Sequence, residues 1–231
     1  MAFITIKKRT IIIALSVVLA AVALAAGVTA VIASTRTDNG ITIVIDAGHG
    51  GADGGVTGIA TGAKESDVNL SIAKYLSRYL KDNGYNVEMT RTDAGAVSGG
   101  IKYSKRDDMR ARKDKVNAAA PDLLISIHCN SYPLESVSGG QVFFSSNATV
   151  GRDFANTVQN YFNDVLNEKP RTAAVGDYYI LNCSDYPSIL CECGFLTNKS
   201  EESKLITSSY QEKVAYTIFT AVDAMFGNGQ A

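Results

Sequence analysis

The sequence has no excess of positive charge: 22 Lys and Arg stand against 23 Asp and Glu, a formal net charge of -1. That balance excludes a generally basic surface of the kind that holds nucleic acid through its phosphates, so an anionic polymer would have to be gripped locally. A disulfide framework is also missing. Cys129, Cys183, Cys191 and Cys193 follow no regular spacing, and a chain of 231 residues that is 46% apolar can build a core without staples. They are expected as buried thiols, with Cys191 and Cys193 on one face of a strand. No internal repeat or low-complexity tract appears. Histidine occurs only twice.

What is present begins with Lys7, Lys8 and Arg9, followed by an uncharged stretch from Thr10 to Thr35 rich in Ile, Val, Leu and Ala. As a helix, Ile11 to Ala33 would reach about 34 Å, enough to cross a hydrocarbon core of about 30 Å with the basic end inside. Residues 1–33 are therefore expected to be a membrane anchor. The alternative is a cleaved signal, since Ala21-Val22-Ala23 and Ala23-Leu24-Ala25 resemble small-residue cleavage sites. Both readings place the rest outside the cytoplasm. Residues 34–40 read as a polar linker ending in the turn dipeptide Asn39-Gly40, and residues 41–228 as one domain.

Within that domain Ile41–Ile45, Asn86–Thr90, Leu123–His128, Gln141–Ser145, Tyr178–Leu181 and Ser188–Glu192 read as strands. Several are continuous apolar runs, as strands covered on both faces require. Between them Ile72, Leu76, Tyr79 and Leu80 form a helical stripe that Asn83-Gly84 would stop. Phe154, Val158, Tyr161, Phe162 and Val165 form another, and Val214, Ile218, Ala221, Val222 and Met225 the last. Lys105 to Ala119 is a more charged helix. The alternation predicts a single three-layer α/β domain with a central, mostly parallel sheet of about six strands flanked by helices, its site at the carboxyl ends of strands.

Both histidines fall at such ends. His49 stands in IDAGHGG, a glycine-rich turn beyond the first strand, and His128 closes the buried run LLISIH. Glu65 lies at the start of a helix beginning near Ser66, where it could simply complement the helix dipole. Together His49, Glu65 and His128 offer two imidazoles and a carboxylate, the ligand set of a catalytic Zn2+ that keeps its fourth position for water. Glu192 ends the strand SILCE among apolar neighbours, facing opposite to Cys191 and Cys193, so the thiols can pack beneath while the carboxylate enters the cleft. Asp46 is a candidate to orient His49 through its second nitrogen, or to cap the glycine turn. Arg91 and Arg112 are candidates to hold substrate carboxylates, or else surface ion-pair partners.

The segments IVIDAGHGG, KESDVNL, NAAAPDLLISIHCN and ECGFLTN, in this order, resemble the successive motifs of the zinc-dependent N-acetylmuramoyl-L-alanine amidases of the amidase-3 family, over about Ile41 to Phe226. The resemblance implies that His49, Glu65 and His128 bind Zn2+ and that Glu192 is the catalytic carboxylate. It implies hydrolysis of the amide joining N-acetylmuramic acid to the first L-alanine of the peptidoglycan stem. Within that family the chain is most similar to germination-specific amidases of endospore formers. That similarity rests on the short apolar N-terminus, the absence of wall-binding repeats and the segment GGIKYSKRDDMRARKDKVN. It implies work on the spore cortex, between the forespore and mother-cell membranes, with an accessory protein as a possible partner. Cys129, Cys191 and Cys193 depart from the family, whose members often carry aliphatic residues or Ala there. Two rival readings stay open: a non-catalytic peptidoglycan-binding domain and a zinc peptidase acting on the stem peptide.

Overall fold

The computed structural model describes residues 17–18, 38–99 and 102–227. Of the N-terminal span only Val17 and Val18 are included, both helical and exposed; the rest of that expected segment lies outside the described residues. No helix among the described residues is long and apolar enough to cross a membrane. The unit that begins at Asn39 opens on the expected turn, where the Asn39 side chain accepts from Ile41 N at 3.0 Å.

Six strands form one sheet: β1 Thr42–Ala47, β2 Asn86–Met89, β3 Leu123–Asn130, β4 Gln141–Phe144, β5 Ala174–Val175 and β6 Ser188–Phe195. Their order is β2-β1-β3-β6-β4-β5. The first four of that order run parallel, while β4 is antiparallel to β6 and parallel to β5. Six helices flank them: α1 Glu65–Asp82, α2 Lys105–Ala119, α3 Thr149–Val165, α4 Tyr179–Asn182, α5 Lys199–Leu205 and α6 Ser208–Gly227. The expected three-layer α/β domain is present.

Strand alternation divides the core in two. Ile43, Ile45, Leu123, Ile125, Ile127, Ile189 and Cys191 pack on the side of α1, α3 and α6, where the stripes Ile72–Leu76–Leu80, Phe154–Val158–Phe162 and Val214–Ile218–Val222 meet them. Each fully buried aliphatic or aromatic side chain of this kind contributes roughly 1.5–3 kcal/mol. Val44, Leu124 and Leu190 face the other way, against Val116 of α2 and Ile180 and Leu181 of α4. Two residues further along each strand, that second face turns polar: Asp46 and Ser126 are buried where a core residue would sit, with His128 and Glu192 beyond. The change from apolar to polar along one face puts the chemistry at the carboxyl ends of β1, β3 and β6.

Local signals set the helix ends. The Ser104 hydroxyl accepts from Asp107 N at the start of α2, and α2 stops at Ala120, left-handed at φ 46°, one residue before Pro121 could not have continued it. Asn83-Gly84 ends α1 as expected. One element differs from the sequence expectation. Tyr178–Leu181 is not a strand, because Tyr179–Asn182 is a single helical turn whose Ile180 and Leu181 cover the second face of the sheet. A four-residue apolar run carries no period that separates the two structures. The sixth strand is instead the two-residue β5, too short to leave a pattern.

Candidate metal centre

His49 follows β1 and the turn that carries it is strained: its φ is 62°, left-handed for a residue with a β-carbon, a conformation that costs about 1–2 kcal/mol. Its Nε2 lies 3.2 Å from Glu65 Oε2 and its Nδ1 3.0 Å from Asp53 Oδ1. Burial alone would lower the His49 pKa, but the Glu65 and Asp53 carboxylates hold it above the usual value. Glu65 opens α1 with its side chain buried. His128, at the end of β3, sits with Nδ1 2.9 Å from Glu65 Oε1.

Glu65 is fixed from every side. Oε1 also accepts from Cys129 N and from Asn69 Nδ2, each at 3.1 Å, and Oε2 accepts from Val56 N at 2.8 Å. Burial would raise its pKa, yet the two imidazoles pull it far below the ordinary carboxylate range. One ligand atom from each of His49, Glu65 and His128 lies within 4.8 Å of the others, and the two rings meet edge to face at 5.0 Å. Two imidazoles and one carboxylate converging on a point fit a metal ion with three protein ligands and an open position. Two glycines make the convergence possible. A β-carbon on Gly48 would overlap the His128 ring, and one on Gly55 would meet Glu65 Oε2 and His49 Cδ2.

Around the ligand set lies a second network that sequence reasoning assigned differently. Asp53, not Asp46, holds the second nitrogen of His49, and Asp53 is itself held by Gly55 N and by the Tyr103 hydroxyl, each at 3.1 Å. Burial, then the Asp53 carboxylate, pushes Tyr103 up to about 12, so the phenol remains a donor. Asp46 accepts from Thr90 Oγ1, Ser126 Oγ and Arg112 Nη1. Burial would raise its pKa, but Arg112 and those hydroxyls keep it below the usual value. It neither touches His49 nor caps the glycine turn by any hydrogen bond among the described residues.

Arg91 and Arg112 are neither surface ion-pair residues nor free clamps, since both are buried. Arg112 donates from Nε to Asp108, from Nη1 to Asp46 and Ala47 O, and from Nη2 to His49 O. Arg91 donates to the carbonyls of Ala47, Gly48, Ser66 and Asp93. Two guanidiniums thus cradle the backbone of the glycine turn. Buried cations need such bonds, and each guanidinium here uses four of its five N–H donors.

Glu192, on β6, is 7% exposed with Oε2 buried and without a hydrogen-bond partner among the described residues. Burial pushes its pKa up to about 7, and the Glu65 carboxylate adds to the rise while the imidazoles oppose it. The four side chains open into a cleft of about 610 Å3, whose walls include Tyr103, Lys105, Asn130, Asp177 and Tyr178.

A family model described as N-acetylmuramoyl-L-alanine amidase, Amidase_3, matches residues 43–224. The chain belongs to the Amidase_3 family. Its relatives include the germination-specific N-acetylmuramoyl-L-alanine amidase of Bacillus subtilis, 36% identical over 191 residues that cover 80% of this chain and 79% of the relative. Among solved structures, the CwlD amidase from Clostridioides difficile in complex with the GerS lipoprotein superposes with a TM-score of 0.77 at 27% identity, covering 82% of this chain and all of that one. The N-acetylmuramoyl-L-alanine amidase from Clostridium difficile 630 gives 0.73 at 30% identity over 85% of this chain and all of that one. Within this Amidase_3 domain the four cysteines are free and buried, as expected for thiols that serve as small hydrophobes. Cys129, Cys191 and Cys193 pack with the apolar side of the sheet, while the Cys129 N–H donates to Glu65 and Cys129 borders the cleft.

Proposed function

We propose that this enzyme hydrolyses the amide between N-acetylmuramic acid and L-alanine in peptidoglycan, with His49, Glu65 and His128 holding Zn2+ and Glu192 moving the proton. Family membership supports the reaction. The observation that carries the residue roles is the unpartnered, buried Oε2 of Glu192 beside a three-residue ligand set. Zinc held by three protein ligands supplies a water of pKa about 7 and a polarised carbonyl. Glu192, whose buried Oε2 has no hydrogen-bond partner among the described residues, takes a proton from the attacking water at that oxygen and passes it to the leaving alanine nitrogen. Asp53 keeps His49 in the tautomer that turns Nε2 toward the centre.

Mass spectrometry of muropeptides after digestion by zinc-loaded protein tests the reading. Sugar chains freed from intact stem peptides are expected. Cleaved stem peptides would make the enzyme a peptidase, and bound zinc without products would make it a binding domain.

Cell-wall amidase relatives support action outside the cytoplasm, and we read residues 1–33 as the membrane anchor that takes it there. The germination-specific relative supports the spore cortex as substrate, and the lipoprotein complex of the Clostridioides difficile neighbour supports an accessory partner. N-terminal sequencing of the mature protein checks the anchor, because a chain starting near Gly27 or Val31 would make the segment a cleaved signal.

A further inference from the structure

The cleft is rich in carboxylates, yet its substrate is itself acidic. Asp46, Asp53, Glu65, Asp108, Asp177 and Glu192 all line it, against two permanent cations, Lys105 and Arg112. Arg112 is buried, and four of its five N–H donors are committed to Asp108, Asp46, Ala47 O and His49 O. Lys105 has no hydrogen bond or ion pair among the described residues. Of the two permanent cations of the cleft wall among the described residues, Lys105 is therefore the exposed one with its donors uncommitted, while Arg112 is buried.

Its place is fixed. Lys105 is the first residue of α2, after the capping Ser104. Tyr103, two residues before it, is tied through its hydroxyl to Asp53, which is bonded to His49. The wall that carries Lys105 is thereby anchored to the reaction centre. In a peptidoglycan stem the residue after the alanine is glutamate joined through its side-chain carboxyl. Its main-chain carboxylate is left free, or is capped as a carboxamide, about one residue or roughly 3.5 Å of chain beyond the scissile amide.

We infer that Lys105 determines specificity by receiving that carboxylate, so that this amidase prefers stem peptides with an uncapped glutamate to those with a carboxamide. The inference rests on the amidase reading above. A lysine ammonium hydrogen-bonds a carboxylate with charge assistance, whereas a carboxamide offers it only a neutral carbonyl.

The test uses two muropeptides that differ only in carboxylate or carboxamide at the second residue, with the zinc-loaded full chain at low ionic strength, where an exposed pair is least screened. Wild type should favour the carboxylate about tenfold in kcat/KM, mostly through KM. Lys105→Met should lose that preference by slowing on the carboxylate while staying within about twofold on the carboxamide, and Lys105→Arg should restore it. Equal rates on both substrates in wild type, or an equal loss on both in Lys105→Met, would overturn the inference and leave the amidase reading standing. Cleavage of neither substrate by wild type would instead overturn both.

Discussion

Arg112 donates to the carbonyl oxygen of His49 at 2.6 Å, so a helix residue far along the chain holds the backbone of the one left-handed, non-glycine residue in the metal turn. The same guanidinium neutralises Asp46 and Asp108. Arg112→Met leaves both acids buried without their cation and should cost about 3–5 kcal/mol of stability, read from urea unfolding. Arg112→Lys keeps a charge but not the fork, and should stay folded with weaker zinc binding and a lower kcat. Full zinc affinity in a folded Arg112→Lys would remove the positioning role.

Asp53 and Gly48 support the ligands from opposite sides. Asp53→Ala frees the second nitrogen of His49, and loss of such a partner typically weakens metal affinity by about 10- to 100-fold. Gly48→Ala forces a β-carbon into the His128 ring and should weaken zinc by a similar factor. Competition with a chromophoric chelator measures both. Unchanged affinity in either variant would mean that its support is redundant.

Glu192→Gln keeps size and removes the proposed base. Zinc content and muropeptide affinity should be retained, while turnover falls by at least about 10²- to 10⁴-fold, the range of general acid-base catalysis. Near-normal turnover would end the proposed mechanism, and zinc loss would make Glu192 a fourth ligand.

In metal-free protein Glu192 also gives a pH dependence whose sign follows from burial. Its pKa is raised from an ordinary 4.5 to about 7, so between those values the folded chain holds a proton that the unfolded chain has released. Stability from this group is full below 4.5 and declines as pH rises to about 7. Wild type should therefore lose stability relative to Glu192→Gln between pH 4.5 and 7 and run level with it above. Urea midpoints of the two proteins across that range decide it, and parallel curves throughout would refute the raised value.

The legible parts of the chain were those where one residue type repeats at one period or sits at one strand end. Ile43, Ile45, Ile125 and Ile127 announce their strands by unbroken apolarity, and His49 and His128 are conspicuous because histidine is so scarce. Alternation along SILCE placed Glu192 opposite its flanking thiols, as found. What failed to show was partner choice among polar residues. Asp46 and Asp53 both lie within a few residues of His49, and only the bend at Gly50–Gly51, closed by Gly50 N to Asp53 O at 2.8 Å, brings Asp53 back to the ring. Spacing at i+4 in GHGGAD was the one available hint. Arg91 and Arg112 looked free because no pattern reveals that a guanidinium will meet backbone carbonyls. Tyr178–Leu181 misled for the same reason at smaller scale: four residues are shorter than the period needed to read them.

The position of β6 in the sheet governs when activity can begin. It is the last strand to be synthesised, yet it inserts between β3 and β4, carrying Glu192 to the side of His128. A nascent or partly translocated chain that has already produced His49, Glu65 and His128 still lacks both the middle of its sheet and Glu192, its proposed base. Wall-cutting power thus arises only once most of this domain has been made, which gives the producing cell a built-in delay.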